Sequence, residues 1–268
     1  MAEPGRPPVL TIAGSDSSGG AGIQADLKTM MAYGVYGMSV ITAVTAQNTC
    51  GVFMVEQISR EMLRQQLQAV MKDIFPHAVK IGMLSARETV LCIAECLEQY
   101  HPPHVVLDTV MVSTSGKSLL DQEAKEAMKE RLFPLAELIT PNIPEAEEIT
   151  GRKIRTQEDM EQAASQMYRQ YGCNVLIKGG HLPNTADDLL YQGSCVWYPA
   201  QRIVSDNTHG TGCTLSSAIA SGLACGLALK ESVKRGKEYV RGAMSSELNL
   251  GQGNGPLDHG WSIQSNSC

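Results

Sequence analysis

Thr208-His209-Gly210-Thr211-Gly212-Cys213 places two glycines and a thiol at the head of a small-residue run, Thr214 to Leu223. The glycines permit a tight turn and close backbone approach. A helix starting there leaves its first amides without partners inside the helix. Those amides, with the helix dipole behind them, suit an anion such as a phosphoryl group in transfer. A thiol at that helix start is expected to have a lowered pKa and to serve as a base. The plainer reading is a glycine-rich turn beside a buried structural cysteine, because short glycine patterns are common.

The elements that must position this turn can be read from the chain in order. Val9-Leu10-Thr11-Ile12-Ala13 is a buried strand running into Gly14-Ser15-Asp16-Ser17-Ser18-Gly19-Gly20-Ala21-Gly22. Ile23, Leu27, Met30 and Met31 then follow a helical period. Gly37 to Ala46 is a second, β-branched-rich strand ending in Gln47-Asn48-Thr49, and Val52 to Ile58 alternates like a strand with one wet face. Met62, Leu63, Leu67, Val70 and Met71 mark a helix. Val79 to Leu84 is a short strand closing on Ser85-x-x-Glu88, a capping-box pattern for the next helix. Val105 to Val110 is a central strand carrying Asp108, and Gln122 to Leu132 is a charged helix with a solvated face. Leu138-Ile139-Thr140 is a short strand ending in Pro141-Asn142-Ile143-Pro144-Glu145. Thr156 and Asp159 start a further helix, and Asn174 to Gly180 is again a strand.

This alternation predicts an α/β fold, a mostly parallel sheet with helices on both faces. Asp187 to Val204 holds closely spaced short strands, expected as an antiparallel edge. Helices return after Gly212 and from Glu231 to Leu248, and the tail from Gly251 reads as a polar loop. On that plan Asp16, Gln47, Met83, Asp108, Asn142, Glu145, Lys178 and Cys213 all lie just past a strand's carboxyl end or in the following turn. In an open parallel sheet those ends line one crevice, where ligands bind.

Composition narrows the class. With 268 residues, 43% of them apolar, the chain can build one large α/β domain or two small ones. A net charge of −6 argues against a nucleic-acid or anionic-membrane surface. No apolar run is long enough to span a bilayer and no signal-peptide pattern opens the chain. Residues Met1 to Pro8 are Pro-rich and expected to fray. The 8 Cys show no metal-ligand pairs, and packing explains Cys92 and Cys96 on one helix. Reduced thiols and a cytoplasmic home follow.

The assembled motifs resemble the hydroxymethylpyrimidine/phosphomethylpyrimidine kinases of thiamin biosynthesis, in the ribokinase-like superfamily. The resemblance runs from about Val9 to His259. It rests on Ala13 to Asp26, on Thr45-Ala46-Gln47-Asn48-Thr49, on Lys80-Ile81-Gly82-Met83-Leu84, on Thr140-Pro141-Asn142 with Glu145, on Lys178-Gly179-Gly180-His181, and on the opening stretch. It implies a single three-layer ribokinase-like kinase domain over residues 1–268, ATP and Mg²⁺ as cofactors, and a homodimer. The implied activity phosphorylates 4-amino-5-hydroxymethyl-2-methylpyrimidine and then its monophosphate. Neither nucleic acid nor membrane is an expected partner.

The same resemblance distributes the roles. Gln47 reads the pyrimidine; an amide offers both a donor and an acceptor to a ring nitrogen and its neighbouring amino group. Asp26 contacts the substrate's hydroxymethyl or amino group, or is simply a first-turn helix carboxylate. Met83 and Val110 form apolar walls, and the backbone at Gly14 and Ala21 approaches the substrate. Asp108 and Glu145 belong to the magnesium-phosphate region, with Asn142 ordering water around the metal; Mg²⁺ takes few carboxylates, leaving places for water and phosphate oxygens. Lys178 steadies nucleotide phosphates as a point charge. Thr208, Gly210, Thr211 and Gly212 form the anion hole, and Cys213 is the base. Many superfamily relatives carry Asp at that position, and Cys is found in the vitamin-kinase branch. Lys237 falls near the adenine side, where a surface helix lysine is the simpler reading. His209 reads as structural, or as a neighbour that tunes the thiol.

Three other functions compete. A pyridoxal kinase handles a hydroxymethyl heteroaromatic of similar outline, alone or as a side activity; the Ala46-Gln47-Asn48-Thr49 run favours the pyrimidine. A nicotinamide-dependent oxidoreductase built on the first glycine turn needs an acidic residue about 20 positions on, and Tyr36 to Thr42 contains none. A non-catalytic sensor on this fold would lack Cys213, Lys178 or Glu145, and all three are present.

Overall fold

The computed structural model describes residues 5–111, 120–180, 186–203, 205–246 and 248–262. The strands are β1 (Pro8–Ala13), β2 (Tyr36–Ile41), β3 (Ala43–Asn48), β4 (Gly51–Gln57), β5 (Ala78–Ile81), β6 (Val105–Leu107), β7 (Leu138–Ile139), β8 (Asn174–Ile177), β9 (Asp188–Tyr191) and β10 (Cys195–Tyr198). The helices are α1 (Gly22–Ala32), α2 (Arg60–Asp73), α3 (Arg87–Tyr100), α4 (Gln122–Ala127), α5 (Ile143–Thr150), α6 (Gln157–Tyr171), α7 (Thr211–Ala224) and α8 (Leu229–Ser245).

Eight strands form one sheet in the order β10-β9-β8-β7-β6-β5-β1-β2. Pairing is parallel from β2 across to β8, and β9 and β10 close the edge antiparallel. The strand period of 2 divides the core into two layers. Leu10, Ile12, Val79, Ile81, Val105, Leu107, Val175 and Ile177 pack with α2, α3, α4, α5 and α6. Val9, Ala78, Val106, Leu138 and Leu176 pack with α1, α7 and α8. With both faces covered, β1, β5 and β6 are buried along their whole length. This is the mostly parallel sheet with helices on both faces that the alternation predicts, and the three-layer ribokinase-like arrangement that the resemblance implies.

The sheet order reverses between β1 and β5: β2 lies on one side of β1 and β5 on the other. That reversal opens a crevice at the carboxyl ends of the strands. Across it stand Gly14 after β1, Gly82 and Met83 after β5, Asp108 after β6, Asn142 after β7 and Lys178 after β8. An isolated parallel bridge, Asn142 to Lys178, continues the β7–β8 pairing into the crevice.

Four local readings change. The run 37–46 is two strands, not one. Thr42 is the last residue held to β1, its N–H donating to Ala13 O at 3.0 Å, and its hydroxyl donates to Met83 O at 3.0 Å where the chain turns away. Among the described residues β3 then pairs only with β4, as an antiparallel hairpin with an irregularity at Ala46/Gln47. Ser85 does not cap α3. The N-cap is Ala86, one residue later, and the buried Ser85 hydroxyl has no hydrogen-bond partner among the described residues. The helix over 122–132 is α-helical only to Ala127, then widens through a π turn (Met128–Leu132) and tightens into a 3₁₀ turn (Phe133–Leu135). The tail is more than a polar loop: Leu257 and His259 are buried, and Asp258 N donates to Ala243 O. The Thr156–Asp159 capping box is formed as expected. No described helix is long and apolar enough to cross a membrane.

Candidate active site

Two helix starts meet in the crevice. Gly210 caps α7 with φ +87°, a left-handed conformation that favours glycine. A Cβ there would lie 1.9 Å from Gly20 O, so any other residue would push the two glycine turns apart. Thr208 O receives the Thr211 N–H at 3.4 Å and closes the turn. Gly22 opens α1 with φ +57°, and its Cβ would lie 2.4 Å from Gly14 O. The Gly22 N–H faces the Cys213 thiol and acts to lower its pKa. The starts of α1 and α7 therefore converge on one sulfur.

Beside the α7 turn stands a chain of charges. Lys178 Nζ lies 2.9 Å from Asp108 Oδ1, and Thr140 donates to the same oxygen at 3.0 Å. A Cβ on Gly212 would stand 3.2 Å from Asp108 Oδ2 and 3.4 Å from Lys178 Nζ, so the α7 amides, the lysine and the carboxylate share one space. Asn142 caps α5 in a full capping box with Glu145. Glu145 Oε2 accepts the Asn142 N–H at 2.9 Å and the Thr109 hydroxyl at 3.0 Å. Burial raises the Glu145 carboxyl above the usual range; Asp108 adds to this and Lys178 opposes it. Burial also disfavours the Asp108 carboxylate, but Lys178 and Lys80 hold its pKa below the usual value.

These donors fit Mg²⁺. Among the described residues, no hydrogen bond is made to Asp108 Oδ2 or Glu145 Oε1, while their sister oxygens are tied down. No group of three or more His, Cys, Asp or Glu that could hold an ion unaided is found among the described residues. A site of two carboxylates, with the rest supplied by water and phosphate, is what Mg²⁺ takes. Asn142 spends its side-chain oxygen on the Glu145 N–H at 2.9 Å, so its first job is to cap α5.

The acceptor end is built on the first glycine turn. Asp16 Oδ1 accepts from Ser18 N and Oγ; Asp16 Oδ2 accepts from Gly20 N, Ala21 N and His209 Nε2. Burial penalises the charge, but these donors outweigh it and hold the Asp16 pKa at about 2. Ser17 fastens Gln47: its hydroxyl donates to Gln47 O at 2.8 Å and receives the Gln47 N–H at 2.9 Å. Gln47 is thereby brought from the hairpin to the glycine turn. Gly14 faces Met83, whose Cε would lie 2.6 Å from a Cβ there. Val110 is half-buried beside Asp108, whose carbonyl accepts its N–H at 2.9 Å. His181, part of the Lys178-Gly179-Gly180-His181 motif, lies outside the described residues.

Two sequence readings are corrected. Asp26 does not line the crevice: it is 0% exposed and paired with Lys80, also 0% exposed, at 2.8 Å. Thr11 and Ser217 donate to its two oxygens at 2.6 and 2.7 Å, so nothing of the carboxylate is left for a ligand. Cys213 is not a lowered-pKa thiol. Burial pushes it up to about 11; Asp26 and Asp108 add to the rise, and Lys80 and the Gly22 N–H only partly offset it. Lys237 is ion-paired with Asp188 at the sheet edge. The sequence reasoning also missed the Asp16 scaffold, although Asp two residues before Ser is a signature of an Asx turn. It missed the buried Lys80, for which its strand, otherwise Ala, Val and Ile, carried no signal.

Comparison with known proteins agrees with this geometry. The family model described as phosphomethylpyrimidine kinase matches residues 16–258. The chain is 52% identical over 255 residues to a hydroxymethylpyrimidine/phosphomethylpyrimidine kinase of Rhizobium meliloti, covering 93% of this chain and 96% of that one. It is 50% identical to the thiamine biosynthesis bifunctional protein ThiED of Geobacter sulfurreducens, over 94% of this chain; it spans 52% of that relative's length. Among solved structures, phosphomethylpyrimidine kinase from Clostridium difficile 630 matches with TM-score 0.80 and 51% identity, over 88% of this chain and 98% of that one. Bacillus subtilis pyridoxal kinase in complex with ADP matches with TM-score 0.89 and 36% identity, over 97% and 100%. With its glycine turns, buried charges and sheet order all in place, the chain belongs to the phosphomethylpyrimidine kinase family.

Proposed function

We propose that this phosphotransferase moves the terminal phosphoryl group of ATP to the hydroxymethyl oxygen of 4-amino-5-hydroxymethyl-2-methylpyrimidine, then phosphorylates that product to the diphosphate for thiamin biosynthesis. The observation that carries the reading is the convergence of the α1 and α7 starts on Cys213, with Lys178 and Asp108 beside one turn and Gln47 fastened to the other. The backbone amides of Gly210 to Cys213 face the transferring group, where preorganised donors stabilise developing charge. Lys178 neutralises phosphate oxygens as a point charge. When bound, Mg²⁺ supplies further neutralisation, held by Asp108 and Glu145, with Asn142 positioned near its waters. Gly14, Ala21, Met83 and Val110 enclose the pyrimidine, and the Gln47 amide reads its polar edge. Cys213 stands where the acceptor oxygen must lose its proton.

A second activity on pyridoxal is favoured by one observation, the TM-score of 0.89 to a pyridoxal kinase over 97% of this chain. The chain is read as a single cytoplasmic kinase domain, acting on small molecules without nucleic acid or membrane. A homodimer is supported by the β3–β4 hairpin, which leaves Phe53 68% and Met54 62% exposed; exposed apolar patches mark interaction surfaces. The test is coupled ADP release with the hydroxymethylpyrimidine, its monophosphate and pyridoxal in parallel. Turnover of both pyrimidines supports the proposal. Turnover of pyridoxal alone replaces it.

A further inference from the structure

His209 is held more tightly than a turn residue needs to be. Its N–H donates to Gly255 O at 3.0 Å. Its ring faces Gly20, where a Cβ would lie 2.4 Å from His209 Cδ2 and 3.1 Å from Pro256 Cβ. Its Nε2 contacts two groups: Asp16 Oδ2 at 2.8 Å and Gln47 Nε2 at 3.4 Å. The other end of that amide, Gln47 Oε1, lies 3.4 Å from Thr45 Oγ1.

Counting protons decides how these groups are joined. Asp16 Oδ2 already accepts the N–H groups of Gly20 and Ala21, so it is an acceptor and His209 Nε2 must carry the proton between them. Nε2 therefore has no lone pair to offer Gln47. Thr45 has the complementary constraint. Its one hydroxyl proton goes to Ser15 O at 2.8 Å, and a backbone carbonyl can only accept. Toward Gln47 it therefore presents a lone pair. With its nitrogen toward His209 and its oxygen toward Thr45, the amide would mismatch both neighbours. With the ends exchanged it satisfies both: the oxygen shares the Nε2–H of His209, and the nitrogen donates to Thr45. Oxygen and nitrogen of an amide are told apart by such partners.

We infer that His209, with Thr45, is a positioning residue that locks the Gln47 amide in one of its two orientations and so sets which polar edge the site accepts. The inference rests on Gln47 reading the substrate. The locked amide turns an acceptor to the substrate on the His209 side and a donor on the Thr45 side. A 4-aminopyrimidine matches with its amino group toward His209 and its ring nitrogen toward Thr45. The 4-oxo analogue presents a carbonyl and a ring N–H, the reverse pattern, and would need the amide turned over.

The experiment measures kcat/KM for the 4-amino substrate and its 4-oxo analogue. The proteins are the wild type, His209→Leu, His209→Gln, Thr45→Val and Gln47→Ala, with thermal melts for each. Because mismatched buried polar groups are strongly rejected, the wild type should favour the amino compound by at least about 100-fold. In His209→Leu the ratio should fall about tenfold, with the loss in pyrimidine KM and the ATP KM unchanged, because turning the amide no longer strands a donor. His209→Gln, which keeps an N–H at similar reach, should retain most of the ratio. Should His209→Leu not fold, Thr45→Val decides, with the same expected fall. A folded His209→Leu or Thr45→Val that loses activity but keeps the full amino-over-oxo ratio would overturn the inference. If Gln47→Ala itself leaves the ratio and the pyrimidine KM unchanged, the underlying reading of Gln47 fails instead.

Discussion

Asp26→Asn should cost the protein stability and leave substrate recognition alone. The aspartate sits on α1 with zero exposure, and Lys80 Nζ lies 2.8 Å from each of its oxygens. The amide removes the negative charge and leaves Lys80 buried without its counter-ion. Removing one partner of a buried ion pair costs about 3–5 kcal/mol. Thr11 and Ser217 also donate to this carboxylate, so one of the two hydroxyls loses part of its bond. For a chain of this size each kcal/mol moves the melting temperature by roughly 2–4 °C, so Asp26→Asn should melt about 6–20 °C lower. The double variant Asp26→Leu with Lys80→Met, which leaves no unpaired charge, should lose less than the two single changes together. The assay is thermal unfolding by circular dichroism, paired with pyrimidine and ATP KM values from ADP release. A melt within about 2 °C of wild type, below the expected range, together with a raised pyrimidine KM, would refute the structural role and return Asp26 to the substrate.

Three further outcomes follow. Glu145→Gln keeps the helix cap but removes a charge from the metal-facing pair; the Mg²⁺ concentration for half-maximal rate should rise and kcat should fall, with the melt unchanged, and an unaltered Mg²⁺ dependence would remove Glu145 from the site. Cys213→Ala should slow phosphorylation of the alcohol at least about tenfold more than phosphorylation of the monophosphate, because only the alcohol needs a base. A thiol near 11 is protonated at neutral pH, so a thiolate base predicts an alcohol rate that climbs about tenfold per pH unit above 7; equal losses in both steps would make Cys213 a positioning group. Burial and the nearby Lys28 depress His259 from 6.5 to about 4. Its neutral form therefore contributes stability that is fully present above pH 6.5 and is lost as pH falls toward 4, roughly 3 kcal/mol in all. His259→Gln should flatten the melting temperature over that window, whereas the Asp16 contribution, with its pKa at about 2, is lost only below about pH 4.

Much of the architecture was legible because it rests on local chemistry. Apolar strands ending in Gly, Asp, Asn and Lys gave the parallel sheet and its functional edge, and Thr156 with Asp159 gave a helix start. What was not legible depends on contacts between segments far apart in the chain. Asp26 looks like a first-turn carboxylate until β5 brings Lys80 beneath it. The Cys213 thiol looks activated by its helix until the burial and the two nearby carboxylates are counted. Nothing within Gly37 to Ala46 announces the break at Thr42, because the bonds that hold the chain as it turns out of the sheet come from Met83 and Ile58. The tail reads as polar, yet Leu257 and His259 are buried against α7 and α8 by partners some tens of residues upstream.

The central claim is that one crevice has two ends, an acceptor end at Gln47 and a phosphate end at Lys178. The most direct measurement is a set of steady-state KM values for pyrimidine and ATP in wild type, Gln47→Ala and Lys178→Met. Losing the paired hydrogen bonds of Gln47 should weaken pyrimidine use about 5- to 150-fold, equivalent to about 1–3 kcal/mol, and leave the ATP KM nearly unchanged. Lys178→Met should do the reverse, weakening ATP use and kcat with little change in pyrimidine affinity. Equal losses for both substrates in either variant would contradict the account.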